Sequence, residues 1–350
     1  MKKRFTFLSL LFSAHYSLAD ISVSGFGSAV LGTVINGDGY IAEYPNLGVY
    51  DDDFDFGQET KLGIQARAPI QEDLNLTLQM MTRGANEWEP QLEWMYLTYL
   101  LNDSVDIQVG RLRMPVYKYS EFMDVGFAYP WVRVPADTYS LDVVNYNGLR
   151  VNYLTGSEAI PIRLSTYLGR EKEENSELMS YLFKGDVDRE FKQIIGLVAD
   201  GSYEILNLRL SYTEAELDDL LDGVGDTKDI SFFDAAFTLN FGNFSVMAEY
   251  NEYKPFYTSY FGSLNYQVDL NTYYLLWSKF DLDKPFEEHD TTSLGVRHNI
   301  GDNVALKFDV SYFSDDGFNP FTGQSNPVFH AAKDGDGDAT ILTIALDFVF

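Results

Sequence analysis

Few side chains in this sequence are of the kinds that make or break covalent bonds. Cysteine is absent and histidine occurs four times. His15 lies in the N-terminal apolar segment, which leaves His289, His298 and His330. None of them is spaced as His-x-x-x-His, so zinc is not indicated. His289-Asp290 has the residue types of half a hydrolytic dyad, but the Gly-x-Ser-x-Gly elbow of a serine hydrolase is absent. Asp334-Gly-Asp-Gly-Asp338 starts like a calcium loop. Its sixth place is Ala339 instead of Gly and its twelfth is Ala345 instead of Glu, so it reads as a plain acidic loop. No pattern calls for a catalytic residue, a cofactor or a metal, and the chain is not read as an enzyme.

More informative are charges whose position in an alternating pattern says where they point. Lys61 is in phase with Gly63, Gln65 and Arg67, against Leu62, Ile64 and Ala66. Arg83 is in phase with Asn75, Thr77 and Gln79, against Leu74, Leu76, Leu78 and Met80. Each segment is a strand with one apolar and one polar face. If the apolar face meets lipid, a charge on that face at mid-depth would cost roughly 2–4 kcal/mol, so Lys61 and Arg83 belong to a polar interior.

Such period-two segments recur along the whole chain. Leu206, Leu208, Leu210 and Tyr212 alternate with Asn207, Arg209 and Ser211, and Phe233, Ala235, Phe237 and Leu239 alternate with Asp234, Ala236, Thr238 and Asn240. Sixteen strands are read in all, from 21–34 to 339–350, with 256–281 split in two at Gln267–Asp269. Short links such as Asn102–Ser104 and Gly242-Asn243 take turns with generally longer ones, 35–56, 114–142, 171–188, 214–229 and 314–338. A transmembrane barrel predicts that asymmetry, with tight periplasmic turns on one rim and long outer loops on the other. An even strand number puts both ends of the chain on the turn side.

The N-terminus supplies the route to a membrane. Lys2, Lys3 and Arg4 precede a ten-residue apolar run from Phe5 to Ala14, and Ser17-Leu18-Ala19 offers a small-x-small cleavage site. Residues 1–19 are therefore read as a cleaved signal peptide and 20–350 as one domain. Beyond Ala19 no run approaches the ~18 apolar residues of a membrane helix, so a membrane location requires a closed barrel. The chain carries 53 acidic against 25 basic side chains and a formal charge of −28. That balance is a poor match for nucleic acid or an anionic surface. Its Tyr (24) and Phe (26) far outnumber Trp (4), which suits aromatic girdles at the two lipid interfaces.

The last strand, Thr340 to Phe350, sets Leu342, Ile344, Leu346, Phe348 and Phe350 on one face and ends on phenylalanine. It resembles the closing strand of the general, trimeric outer-membrane porins of Gram-negative bacteria. Ile21-Ser-Val-Ser-Gly-Phe-Gly27 resembles their first strand, Val109-Gly110-Arg111 their fifth, and Gly295 to Lys307 a late hairpin. The resemblance implies an all-β, 16-stranded antiparallel transmembrane barrel in the outer membrane, assembled through the terminal Phe350 by the outer-membrane assembly machinery. It implies a homotrimer among lipid and lipopolysaccharide, and a third loop folded inward as a constriction. That loop is Met114 to Asp142, where Ser120-Glu121-Phe122-Met123 is loosely similar to the family's Pro-Glu-Phe-Gly.

A constriction of this type sets fixed charges of opposite sign across a narrow aqueous gap. Glu121, Asp124 and Asp137 are the acidic candidates on the loop, with Lys61 and Arg83 opposite. Arg111, Arg113 and Arg133 are further candidates. Arg111 follows Val105, Ile107 and Val109 in the lipid phase, so it needs a bulge or a place beyond the bilayer rim. The function implied is passive diffusion of ions and small hydrophilic solutes, with a modest cation preference from the acidic loops. Two alternatives remain: a sugar or oligosaccharide channel using Tyr129 and Trp131 as an aromatic slide, and a plugged structural or adhesive barrel.

Overall fold

Lipid offers the backbone no hydrogen-bond partners, so a sheet that crosses it must close on itself, and this chain does. The computed structural model describes residues 21–37, 39–283, 287–319, 321, 324–325 and 337–350. The segment read as a signal peptide, His330 and most of the calcium-like stretch lie outside the described residues. Sixteen antiparallel strands form the barrel, each paired with its sequence neighbours. They are β1 (Ser22–Asn36), β2 (Lys61–Gln71), β3 (Leu74–Arg83), β4 (Gln91–Asn102), β5 (Val105–Arg113), β6 (Asn145–Ser157), β7 (Ile160–Glu173) and β8 (Val187–Tyr203). The rest are β9 (Leu206–Leu221), β10 (Val224–Phe241), β11 (Phe244–Lys254), β12 (Tyr257–Val268), β13 (Asn271–Leu282), β14 (Glu288–Asn299), β15 (Val304–Asp315) and β16 (Ala339–Val349). β16 closes the sheet on β1 in a register that runs from Phe26 opposite Val349 to Asn36 opposite Thr340.

The alternation sorts side chains as the pattern predicts. Leu208, Leu210 and Tyr212 are exposed on the outer face while Arg209, Ser211 and Thr213 are buried inside. Leu264, Tyr273, Leu275, Phe308 and Val310 add to the outer apolar band. The split at Gln267–Asp269 holds, since Val268 pairs with Asn271 across a tight turn.

One loop is much shorter than expected. Residues 214–229 are hairpin: β9 runs to Leu221, β10 starts at Val224, and the turn is Asp222-Gly223 with φ of 51° and 78°. Asp-Gly is a strong signal for a turn of this handedness, and the acidic composition hid it. The polarity of the strands also inverts there. Ala215 and Leu217 point inward and are buried, whereas Glu214 and Glu216 point out. Above the bilayer the outer face meets water, so the alternation survives with its sense reversed. The loop between β11 and β12 is Pro255 and Phe256, the two-residue link the strand pattern implies.

The long loops sit on the rim away from the chain ends. L1 (37–60) carries a small hairpin, Tyr40–Glu43 with Gly48–Tyr50. L3 spans 114–144, and L4 (174–186) holds one short helix, α1 (Glu177–Phe183).

Placing arginine at Leu275, near mid-strand on the outer face, should cost about 2–4 kcal/mol. Folding titrations into lipid vesicles are expected to show that loss for Leu275→Arg and a much smaller one for Leu275→Phe. Equal losses would contradict the assigned facing.

Candidate functional site

L3 leaves the wall after Arg113 and re-enters it at Asn145, and in between it lies inside the barrel. Apolar packing holds one side. Tyr117, Tyr129, Trp131, Tyr139 and Leu141 share one cluster with the inward-facing Tyr146, Phe232, Phe261 and Tyr274 of the wall. Trp131 meets Phe261 edge-on at 5.5 Å between ring centres, and Tyr119 meets Trp131 at 5.7 Å. The Trp131 indole N–H donates to Ser263 Oγ at 2.8 Å. Tyr129 and Trp131 are thus buried packing residues, and the aromatic-slide reading is corrected.

Charge holds the other side. Asp124, only 4% exposed, accepts from Arg113 at 2.5 Å, Arg83 at 3.2 Å and Lys61 at 3.3 Å. Lys61 also reaches Glu43 of L1 at 3.3 Å, and Arg83 donates to Glu93 of β4 at 2.5 Å. Three cations and three carboxylates form one network. The expected gap between opposite charges is therefore absent at this wall, because the charges are in contact. Burial disfavours the Asp124 carboxylate, but Arg83, Lys61 and Arg113 outweigh it and hold its carboxyl well below the usual range. Burial also works against Glu121, and Arg150 overcomes it to lower that carboxyl.

The other candidates mark separate attachments around the loop. Glu121 accepts from Arg150 of β6 at 2.5 Å. Arg133 grips Glu59 of L1 with two bonds of 2.6 and 2.7 Å and donates to Thr343 of β16 at 2.8 Å. Asp137 accepts from Ser278 of β13 at 2.6 Å and meets His289 Nδ1 of β14 at 2.9 Å. Arg111 stands outside this set: it stays in the outward phase at the loop end of β5, bonded to the Leu92 carbonyl at 3.3 Å and to Glu171 at 2.6 Å. A place at the rim is what its lipid phase demanded, and it takes no part in the loop network.

The middle of L3 is clamped by its carbonyls. Lys307, fully buried beside Asp347 at 2.7 Å, donates to Gly126 O at 2.7 Å and Trp131 O at 2.5 Å. Arg297 donates to Phe127 O and Tyr129 O at 2.7 and 3.0 Å. A side chain on Gly126 would sit 2.3 Å from Asp347 and 2.7 Å from Ser28, so the buried Asp347 would have to shift to admit it. Lys307 and Arg150 were readable, since each lies in the polar phase of its strand. Glu43 and Glu59 were not, because nothing in a loop sequence says which acid turns inward.

The His289-Asp290 dyad is ruled out by strand geometry, which sends neighbours to opposite faces. His289 is buried inside, against Asp137 and Tyr44, while Asp290 accepts from Trp277 on the outer face at 3.1 Å. Ser278 bonds Asp137 and not His289, and the hydroxyl that meets His289 Nε2, at 3.1 Å, is the phenol of Tyr44. Among the described residues no group of three or more His, Asp or Glu is placed to hold a metal ion.

A closed, sixteen-stranded antiparallel barrel with its third long loop folded inside is the architecture of the Gram-negative outer-membrane porins, and solved structures of that class share this fold. They include the anion-selective porin from Comamonas acidovorans, at TM-score 0.61 and 13% identity over 95% of this chain and 100% of that one. The outer-membrane channel DcaP of Acinetobacter baumannii matches at 0.60 and 9%, over 95% and 97%. The trimer form of OmpT, an outer-membrane protein of Vibrio cholerae, matches at 0.58 and 10%, over 95% and 99%. No protein-family profile and no curated protein matches the sequence.

Replacing Asp124 with Asn removes the carboxylate that three cations share and leaves Glu43 and Glu93 to face all of them; by the rule for broken buried pairs this should cost about 3–5 kcal/mol locally. L3 of Asp124→Asn is expected to become protease-sensitive in the folded barrel at pH 7. The native loop should stay protected when the pH falls from 7 to 4. A carboxyl lowered in the folded state contributes in full above its unfolded value of about 3.9 and loses that contribution progressively as the pH falls from there through the lowered value. A native loop that opens by pH 4 would contradict the assignment.

Proposed function

We propose that the protein is an outer-membrane porin, exported with residues 1–19 as a cleaved leader and working as a homotrimer. It passes ions and small hydrophilic solutes down their gradients through a strongly restricted lumen and carries out no reaction. The observation that carries this reading is the polar, charged interior of a closed barrel with a loop fixed across it at mid-height. Lys61, Arg83, Arg113, Glu121 and Asp124 are the constriction charges in this proposal, and Arg133 and Asp137 hold the loop in place.

The network around Asp124 sets three cations against three carboxylates, so it favours neither sign of ion. A bias comes from the mouth, where Asp51, Asp52 and Asp53 are exposed and Glu174 leaves most of its side chain in water. A negative mouth enriches cations over a screening length of about 8 Å at physiological salt. The preference is therefore modest and fades as salt rises.

One observation favours the plugged-barrel reading as a second possibility. The inward-facing Asp234, Asn251, Ser259 and Ser278 are almost completely buried, and Ser278 is bonded to Asp137 of L3. The refolded protein in a planar bilayer distinguishes the two. Small steps in triplets, with a cation-biased reversal potential that shrinks between 0.1 and 1 M salt (roughly 10 to 3 Å screening), are expected of the porin. Silence from well-folded protein would favour the plug, and anion preference would contradict the selectivity argument.

A further inference from the structure

Beside the loop that fills the barrel, on the side of the long loops, is a cavity of about 340 Å³ whose wall is unlike the rest of the mouth. Its floor is Leu141 of L3 and its lid is the apolar face of α1, with Leu178, Met179, Leu182 and Phe183. The barrel side adds aromatic rings from Tyr253, Phe256, Tyr257 and Phe280. Elsewhere the mouth presents acids and amides, as in the neighbouring cavity lined by Gln91, Asn145, Glu171 and Glu174. An apolar enclosure that opens to water stays unfavourable until an apolar group fills it.

The charges at its edge have a sign. Among the described lining residues Asp142, Asp219 and Glu287 face a single cation, Arg189. Arg189 is already engaged, giving two bonds of 2.6 and 2.7 Å to Asp142 and lying 3.6 Å from Asp219. Behind the lining, His289 Nε2 meets Glu287 at 3.3 Å, and Lys228 lies 3.9 Å from Asp219 and 5.4 Å over the Phe256 ring. The lining itself carries three acids to one cation, and its electron-rich ring faces attract cations. Three hydroxyl oxygens, of Ser140, Tyr253 and Tyr257, are buried in the wall, Tyr257 beside Ser140 and Tyr117 and Tyr253 beside Arg189. The volume exceeds twice the ~150 Å³ cavity that holds benzene, enough for a body of about two rings.

We propose that this cavity is a binding site for small amphipathic amines, which place an aromatic or aliphatic body between α1 and the barrel wall and an ammonium group at Glu287 and Asp219. The site stands or falls apart from conduction, because it lies to one side of the Asp124 network and binding there needs no passage.

The test uses the full-length mature protein in lipid nanodiscs and 1-naphthylmethylammonium as the probe, with empty nanodiscs as the background. Equilibrium dialysis is expected to show saturable binding above background. Naphthalene-1-sulfonate, which has the same body and the opposite charge, should bind at least tenfold more weakly. Leu182→Trp and, separately, Met179→Trp fill the cavity and should each reduce amine binding at least tenfold, in barrels whose folding is verified by heat-dependent gel mobility. Binding no greater than to empty nanodiscs would overturn the proposal, as would equal binding by both tryptophan variants or equal affinity for the sulfonate.

Discussion

Hydrocarbon cannot hydrogen-bond a peptide group, and the rest of this structure follows from that constraint. The sheet has to close, closure gives every strand one face in lipid, and along the lipid-crossing stretch the alternation then sends the polar side chains inward. The interior of the barrel is consequently crowded with groups that need partners. Arg83, Arg113, Arg150, Arg189, Arg209 and Lys307 all face in, and all are nearly buried. A water-filled lumen would solvate them. Here much of that work is done by protein, chiefly by L3.

L3 is suited to the task because it brings acids, carbonyls and rings in the order the wall requires. Its N-terminal part gives carbonyls to β9, where Arg209 donates to Pro115 O at 2.7 Å and Ser211 to Val116 O at 2.6 Å. Asp124 then meets the cations of β2, β3 and β5, the turn at Gly126 takes Lys307, and Asp142 closes on Arg189. Buried ion pairs such as these add little net stability, since desolvation offsets most of the attraction. Their effect is positional: displacing the loop would strand several charges at once. The aromatic packing supplies the favourable burial, and the charges fix the register in which it occurs.

Much of the barrel was legible in the sequence because a period of two is a direct record of which face meets lipid. The same record placed Lys61 and Arg83 inside and sent Arg111 to the rim. What stayed hidden depended on long-range contact. Glu93 reaches Arg83 across a register shift in β3 and β4, and the acids of L1 become partners only once that loop folds beneath the rim. The segment 214–229 misled for a different reason: its acids suggested a loop, although the strand pattern continued beyond the membrane with its polarity reversed. The packing partners of the L3 aromatic residues, Phe232 and Phe261 among them, lie over ninety residues away in sequence.

The account rests on L3 being the element that restricts the lumen, and removing it is the most direct test. Residues 118–139 replaced by a short glycine-serine linker should leave a barrel that still folds into bilayers. Its single-channel conductance is predicted to rise several-fold over the native protein at the same salt. A folded barrel with unchanged conductance would show that the passage, or its closure, lies elsewhere, and the central role given to this loop would be wrong.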